Sequence, residues 1–210
     1  MYPTAEVRWF FPGPITPEVA RWFEQRAGTQ NEEPVRTDRY LRIPTSEGLN
    51  LKLREGRIEV KLRVGEPEVA RFHSRVTGVV ERWRKWSFEL AEPGGESSPG
   101  HLPASSWIPV RKDRQLCTYQ VTEDGNVLSR TPPQGLAKGC ELELTEVVAQ
   151  GQVWWTVAFE AFGQEASLRD NLLLVAAHVL STSEPPRLQA HRSQGYAAWL
   201  VEVGKEEAQR

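Results

Sequence analysis

Two neighbouring segments carry cationic side chains with the spacing of one face of a β-strand. Lys52 and Arg54 alternate with leucines in the first segment, and Lys61 and Arg63 alternate with aliphatic residues in the second. Because successive side chains of a strand point to opposite faces, the four cations are predicted to share one face of a hairpin that turns at 55–57. Phosphate suits such a face, since arginine binds its oxygens in pairs and lysine adds a point charge.

The same pattern has a second interpretation, because antiparallel sheets commonly expose one polar face to solvent. A closed or curved sheet would instead turn the cations inward, where a ligand or acidic side chains must balance them. The next predicted strand adds Arg82 and Arg84, and Arg114 lies between two later predicted strands. These seven basic residues are the candidate phosphate-binding set.

The elements that must position these residues follow from periodicity. The sequence predicts an α+β domain built around an antiparallel sheet or barrel, with two main flanking helices. Thr16 is expected to cap the first helix, and Ser167 with Asp170 to form a capping box at the second. The predicted strands are 7–11, 49–54, 58–64, 79–90, 107–112, 115–122, 140–148, 152–162 and 196–203, and the predicted helices are 17–27 and 168–181.

The domain is expected to cover 1–204, with a flexible loop at 92–106 inside it and a polar tail at 205–210. The chain has 210 residues and a net charge of −2. Residues 36–85 nevertheless contain 13 Lys/Arg and 7 Asp/Glu. A basic segment inside an acidic protein favours an anion site, although a solvated surface gives the same composition.

Composition and sequence patterns also disfavour several classes of protein. No run approaches the roughly 20 apolar residues of a membrane span, and no secretion signal is visible, so a cytoplasmic protein is the default. Cys117 and Cys140 fit no metal or redox motif and are expected to be half-buried thiols on strands. The acidic overall balance disfavours nucleic acid, and the tryptophans that alternate along strands are typical of a protein core.

The order of motifs along nearly the whole chain resembles the CYTH superfamily, which includes inorganic triphosphatases, thiamine triphosphatases and class IV adenylate cyclases. Residues 48–54, read as GLNLKLR, resemble the family's basic strand, and 58–61 resemble the strand that follows it. The other matching segments are 6–10, the strand through Arg82 and Arg84, 144–147, 159–163 and 193–196. The resemblance implies an eight-stranded antiparallel tunnel in which acids hold Mg²⁺ or Mn²⁺ and basic residues grip a triphosphate.

The resemblance implies Glu6, Glu146 and Glu160 as the remaining metal ligands. Arg8 stands where the family has a second N-terminal glutamate, and Phe10 where it has a lysine. A hard divalent cation needs carboxylate oxygens, so the loss of acids predicts a degenerate metal site.

The expected function is therefore binding of a phosphate-rich anion (triphosphate, nucleotide or polyphosphate) with weak or no hydrolysis. One alternative is an active metal-dependent triphosphatase. Another is a non-catalytic scaffold or interaction domain, which would be favoured if side chains such as Phe10 and Trp86 fill the tunnel.

Overall fold

The structure, a computed structural model, describes residues 1–26, 31–90, 103–130, 136–182 and 184–207. Of the predicted loop at 92–106, residues 92–102 lie outside this described part of the chain. The described strands are β1 Tyr2–Pro12, β2 Asn31–Glu32, β3 Arg36–Leu41, β4 Leu49–Arg54, β5 Arg57–Arg63, β6 Glu68–His73, β7 Val76–Glu89, β8 Trp107–Val121, β9 Val127–Arg130, β10 Gly139–Ala149 and β11 Gln152–Phe162.

Eight of these strands close into an antiparallel barrel. The order around it is β1-β11-β10-β8-β3-β4-β5-β7, and β7 pairs back with β1. Along one edge, β7 pairs first with β6 and then with β5, while its other edge pairs with β1. The predicted α+β fold with an antiparallel barrel is therefore confirmed.

The predicted hairpin is formed by β4 and β5, with Lys52 opposite Glu59. Its turn has positive φ at both central positions, 48° at Glu55 and 73° at Gly56. Consecutive residues with positive φ are the signature of the tight turn whose twist matches that of two paired strands. Because the barrel is closed, the hairpin's cationic face points inward and its leucines point outward.

Two helices pack on the outside of the barrel, as predicted. They are α1 Pro17–Glu24 and α2 Leu168–Ser181, and their apolar residues form one core with the outward side chains of β1, β8, β10 and β11. Thr16 caps α1 by accepting a hydrogen bond from the Val19 amide at 3.4 Å. The capping box predicted at α2 is wrong, because Ser167 ends a short 3-10 turn and its side chain makes no capping bond.

The strand predicted at 196–203 is wrong, because this segment begins the helix α3 Tyr196–Glu207. Trp199, Leu200 and Val203 are all buried, a spacing that puts them on one helical face. Trp199 stacks on Phe10 at a centroid distance of 4.8 Å inside one end of the barrel. The predicted domain boundary at 204 falls within this helix, and 208–210 lie outside the described residues.

The two cysteines are free thiols on β8 and β10, so their predicted place on strands is confirmed, but they are buried rather than half-buried. Burial raises the pKa of Cys117 to about 11. Among the described helices, none is long and apolar enough to cross a membrane.

Candidate functional site

A charged cavity of about 100 Å³ occupies the barrel interior. It lies next to a cluster of aromatic side chains, the aromatic plug, in which Tyr196 and Trp199 of α3 pack against Phe10 and Trp154. The charged cavity is lined by the inward-facing residues of all eight barrel strands and by Tyr196 of α3. The lining residues are Glu6, Arg8, Arg36, Tyr40, Asn50, Lys52, Arg54, Glu59, Lys61, Trp83, Lys85, Lys112, Arg114, Glu143, Glu160 and Tyr196.

One side of this cavity, the basic wall, consists of Lys52, Arg54, Lys85 and Lys112. The carboxylate of Asp38 lies 3.1 Å from Lys112 and 3.5 Å from Lys52. Asp38 is fully buried and Lys112 is 6% exposed. Burial together with the positive charge of Lys52 lowers the pKa of Lys112 well below its ordinary value.

Glu59 is the second carboxylate next to the basic wall, and it contacts three of the four basic side chains. It lies 3.0 Å from Lys52, 3.2 Å from Lys85 and 3.7 Å from Arg54. Burial opposes the charge of Glu59, but Lys52 and Lys85 prevail and lower its pKa to about 2. Four basic side chains therefore share two buried carboxylates, Asp38 and Glu59, and the exposed Glu55 lies 4.0 Å from Arg54. Basic groups thus outnumber the buried acids of this wall.

The opposite side, the carboxylate wall, consists of Glu6, Glu143 and Glu160 and is bridged by basic side chains. Arg8 donates to Glu6 at 2.7 Å, to Glu143 at 2.5 Å and to Thr156 at 2.9 Å. Its guanidinium also lies over the Tyr196 ring, 4.9 Å from the centroid. Hydrogen bonds along the edges of the Arg8 guanidinium and the Tyr196 ring against one of its faces therefore offset the cost of burying its charge.

Lys61 forms the second bridge of the carboxylate wall. Its ammonium group donates to Glu6 at 2.8 Å and to Glu160 at 2.9 Å. Burial raises the pKa of Glu6, but Lys61 and Arg8 outweigh it and bring the pKa to about 2. The two carboxylates raise the pKa of Lys61 against the effect of its own burial. Both groups therefore stay ionised at neutral pH.

The carboxylate wall does not fit a divalent ion. Both oxygens of Glu6 receive hydrogen bonds from Arg8 and Lys61, and both oxygens of Glu143 lie within 3.3 Å of Arg8 or Arg114. A Mg²⁺ or Mn²⁺ ion would need these same oxygens and would be repelled by the cations that hold them. Within the described ranges, no three His, Cys, Asp or Glu side chains are arranged to hold a metal.

The structure brings some of the residues predicted from sequence together and separates others. Lys52, Arg54, Lys61 and Arg114 line the cavity together with Glu6 and Glu160. Arg63 also points inward and pairs with Glu81 at 2.9 Å.

Three predicted site residues point out of the barrel. Arg82 and Arg84 lie on the outer face of β7, where Arg84 contacts Glu165 at 3.2 Å. Glu146 lies on the outer face of β10, with the buried Leu142 and Leu144 of the outer core. The proposed phosphate or metal contacts of these three side chains cannot form in this cavity.

Several residues in or next to the cavity were missed by the sequence reasoning. Asp38 and Tyr40 belong to β3, which was not predicted, although Arg36, Asp38 and Tyr40 alternate as strand residues do. Lys112 lies in the basic stretch 111–114 but was not singled out, because two separate strands were predicted where β8 runs unbroken. For Glu143 a signal existed, since Glu141 and Glu143 alternate with buried leucines.

Glu141 gives the site a testable pH dependence. It lies directly across from Glu160 on the neighbouring strand, and burial with the charge of Glu160 raises the pKa of Glu141 to about 7. The folded state thus holds this proton more tightly than the unfolded chain, whose glutamates titrate near 4.5. The contribution of this group to stability is therefore present at low pH and is lost as pH rises from about 4.5 to about 7.

Glu141→Gln is expected to remove this loss. Between pH 4.5 and 7.5, the free energy of unfolding of the native protein should fall relative to the variant by on the order of 2 kcal/mol. Urea denaturation at both pH values measures the difference, and Glu146→Gln on the outer face is the matched control. Equal pH dependence in the native protein and Glu141→Gln would contradict the assignment.

Comparison with known proteins finds similarity to solved structures, but none to a family model or a curated protein. A solved structure of an S. pombe RNA triphosphatase is similar with a TM-score of 0.38 and 12% identity, over 99% of this chain and 83% of that one. The function has to be argued from the barrel interior itself.

Proposed function

We propose that the chain is a divergent CYTH-like protein that binds a phosphate-rich anion inside its barrel, with weak or no hydrolysis. The observation that carries this proposal is the basic wall, where Lys52, Arg54, Lys85 and Lys112 share two carboxylates around a cavity. Cations held this close in a poorly solvated interior repel one another, and an entering polyanion would relieve that repulsion. Triphosphate, nucleotide and polyphosphate all supply this charge.

Two further donors support a ligand or water in the cavity. The indole nitrogen of Trp83 and the hydroxyl of Tyr196 are buried and have no hydrogen-bond partner among the described residues. Both side chains line the cavity. Buried donors are normally satisfied, so these two atoms are available to phosphate oxygens or to the water that phosphate displaces.

Arg54 is the cation best suited to contact the anion. Its closest carboxylates, Glu59 and Glu55, lie 3.7 and 4.0 Å away, beyond hydrogen-bond distance. The guanidinium is therefore held in place without being fully neutralised. Arg8 and Lys61, in contrast, each hold two carboxylates at 2.9 Å or less.

The proposed binding does not require a divalent metal, because Arg8 and Lys61 already neutralise the carboxylate wall. Without a Lewis acid, charge that develops on a transferring phosphoryl group has less stabilisation, which favours weak or no hydrolysis. The active metal-dependent triphosphatase is thus the less supported alternative. Metal-dependent release of phosphate from tripolyphosphate would favour this alternative over the proposed function.

Arg54→Gln is expected to weaken binding of tripolyphosphate by about ten- to a hundredfold, the value of one charge-assisted hydrogen bond. The measurement is calorimetric titration together with the shift in melting temperature, both in EDTA. Native protein should be stabilised by the anion, because a ligand that binds only the folded state raises its stability. Arg84→Gln, on the outer face of the next strand but one from β4, is the matched control and should bind as native.

A flat melting temperature with tripolyphosphate, ATP and polyphosphate would overturn the proposal. Equal weakening by Arg84→Gln would instead place the anion on the outer surface of the barrel.

The non-catalytic scaffold is a second candidate, because one end of the barrel is filled. Phe10 is 1% exposed and contacts both Tyr196 and Trp199 of α3. Trp86, the other side chain expected to fill the interior, lies on the outer face of β7. A protein that fails to respond to any anion, yet folds normally, would favour this scaffold function.

A further inference from the structure

A second cavity adjoins the charged one and has the opposite character. It measures about 290 Å³ and lies between α3 and the segment that joins β3 to β4. Its walls are mainly aliphatic, and Arg42, Ser46 and Asn50 supply the polar part of the lining. The aliphatic walls come from Leu41, Ile43, Leu49, Ile108, Leu200 and Val201.

The two cavities are neighbours, because four elements, β3, β4, β8 and α3, contribute residues to both. Asn50 of β4 lines both of them. On α3, Tyr196 faces the charged cavity and the adjacent Ala197 faces the aliphatic one. On β8, Lys112 and Ile108 point to the same side of the strand and line the charged and the aliphatic cavity, respectively.

The lining of the second cavity restricts what it can accept. Among the described residues, its lining contains no aromatic ring, whereas proteins generally hold nucleobases by stacking them on aromatic side chains. Its volume is close to the lower end of the range for small-molecule pockets. An aliphatic chain gains free energy from burial against such walls without needing a particular hydrogen-bond partner.

Resting on the proposed function, we infer that the ligand is an organic phosphate ester with an aliphatic group. The phosphate lies against the basic wall, and the aliphatic group occupies the cavity beside α3. Charge complementarity fixes the first part of this assignment, and the adjoining aliphatic walls fix the second. The side-chain amide of Asn50 lies where the polar head of such a ligand meets its tail.

A series of alkyl phosphates from methyl to octyl tests the inference, with each compound kept below its micelle-forming concentration. Affinity is expected to rise roughly three- to fourfold for each methylene that is buried, and to level off once the cavity is full. The matching alcohols should bind much more weakly, since they lack the charge that the basic wall recognises. Calorimetric titration in EDTA gives all of these constants.

Val201→Trp is designed to fill the aliphatic cavity from α3, where Val201 is partly exposed and tolerates a larger side chain. It should abolish the dependence on chain length while leaving methyl phosphate and tripolyphosphate binding unchanged. The matched control is Leu174→Trp, on the exposed face of α2 and outside both cavities. This variant should keep the full dependence.

The outcomes separate the inference from the function on which it rests. Equal affinities for methyl and octyl phosphate, with tripolyphosphate still bound, would overturn the aliphatic ester and leave anion binding intact. Octanol binding as tightly as octyl phosphate would overturn the link between the two cavities. Failure of every anion, tripolyphosphate included, would overturn the proposed function itself.

Discussion

Replacing Arg8 with alanine is expected to lower the free energy of unfolding by about 3–5 kcal/mol, the usual cost of removing one partner from a buried ion pair. Arg8 is 4% exposed, and the carboxylates that it contacts, Glu6 and Glu143, are 4% and 7% exposed. Truncation therefore leaves two buried carboxylates with fewer partners, and Thr156 without a donor. Urea denaturation at pH 7 measures the loss.

Two control variants make the Arg8 experiment specific. Arg169→Ala removes an exposed arginine that also pairs bidentately with a carboxylate, Glu68, and should leave the unfolding midpoint unchanged. The double variant Arg8→Met/Glu143→Leu should recover part of the lost stability, because it also removes one of the two buried carboxylates that Arg8→Ala leaves behind. An Arg8→Ala variant as stable as the native protein would show that the carboxylate wall is not held by Arg8.

The hairpin was predictable because two independent signals agree there. Strict alternation assigns Lys52, Arg54, Lys61 and Arg63 to one face, and Glu55-Gly56 supplies a turn. Alternation alone does not say whether that face points into a barrel or into solvent. That choice depends on the closing contact between β1 and β7, which involves residues about 80 positions apart and leaves no local signal.

At β7, the sequence reasoning selected Arg82 and Arg84, which point outward, and the reason differs from that at the hairpin. Charged and aromatic residues occupy both faces of this strand, so its pattern does not identify the inward set. The interior receives Glu81, Trp83 and Lys85, while Arg82 and Arg84 point outward. Glu81 is buried against Gly195, where an added Cβ would come within 2.6 Å of its carboxylate. The inward face is thus fixed by contact with a segment near the end of the chain.

The acids on β10 show how a motif-based assignment can select the wrong face. Glu143 and Glu146 are three positions apart, so they must point to opposite sides of the strand. Thr145 and Glu143 share the interior, and the Thr145 hydroxyl donates to Glu143 at 2.7 Å. The leucines at 142 and 144 pack in the outer core and place Glu146 with them.

Trp199→Ala is expected to be the second large effect, with a loss of about 3–5 kcal/mol in the free energy of unfolding. Trp199 is fully buried, lies parallel to Phe10 and meets Trp154 edge-on at 5.8 Å. Its removal leaves a cavity inside the closed end of the barrel, where strands on every side limit relaxation. Thermal and urea denaturation report the loss.

The matched control is Trp86→Ala, which removes the same side chain from the partly exposed outer face of β7 and should cost clearly less. Trp199 does not line the charged cavity, so the folded fraction of Trp199→Ala should still be stabilised by tripolyphosphate. If tripolyphosphate no longer stabilises Trp199→Ala, then α3 positions the basic wall through Tyr196. Equal destabilisation by the two tryptophan variants would contradict the placement of Trp199 inside the barrel. A fully buried tryptophan must contribute more to the free energy of unfolding than a partly exposed one on the outer face.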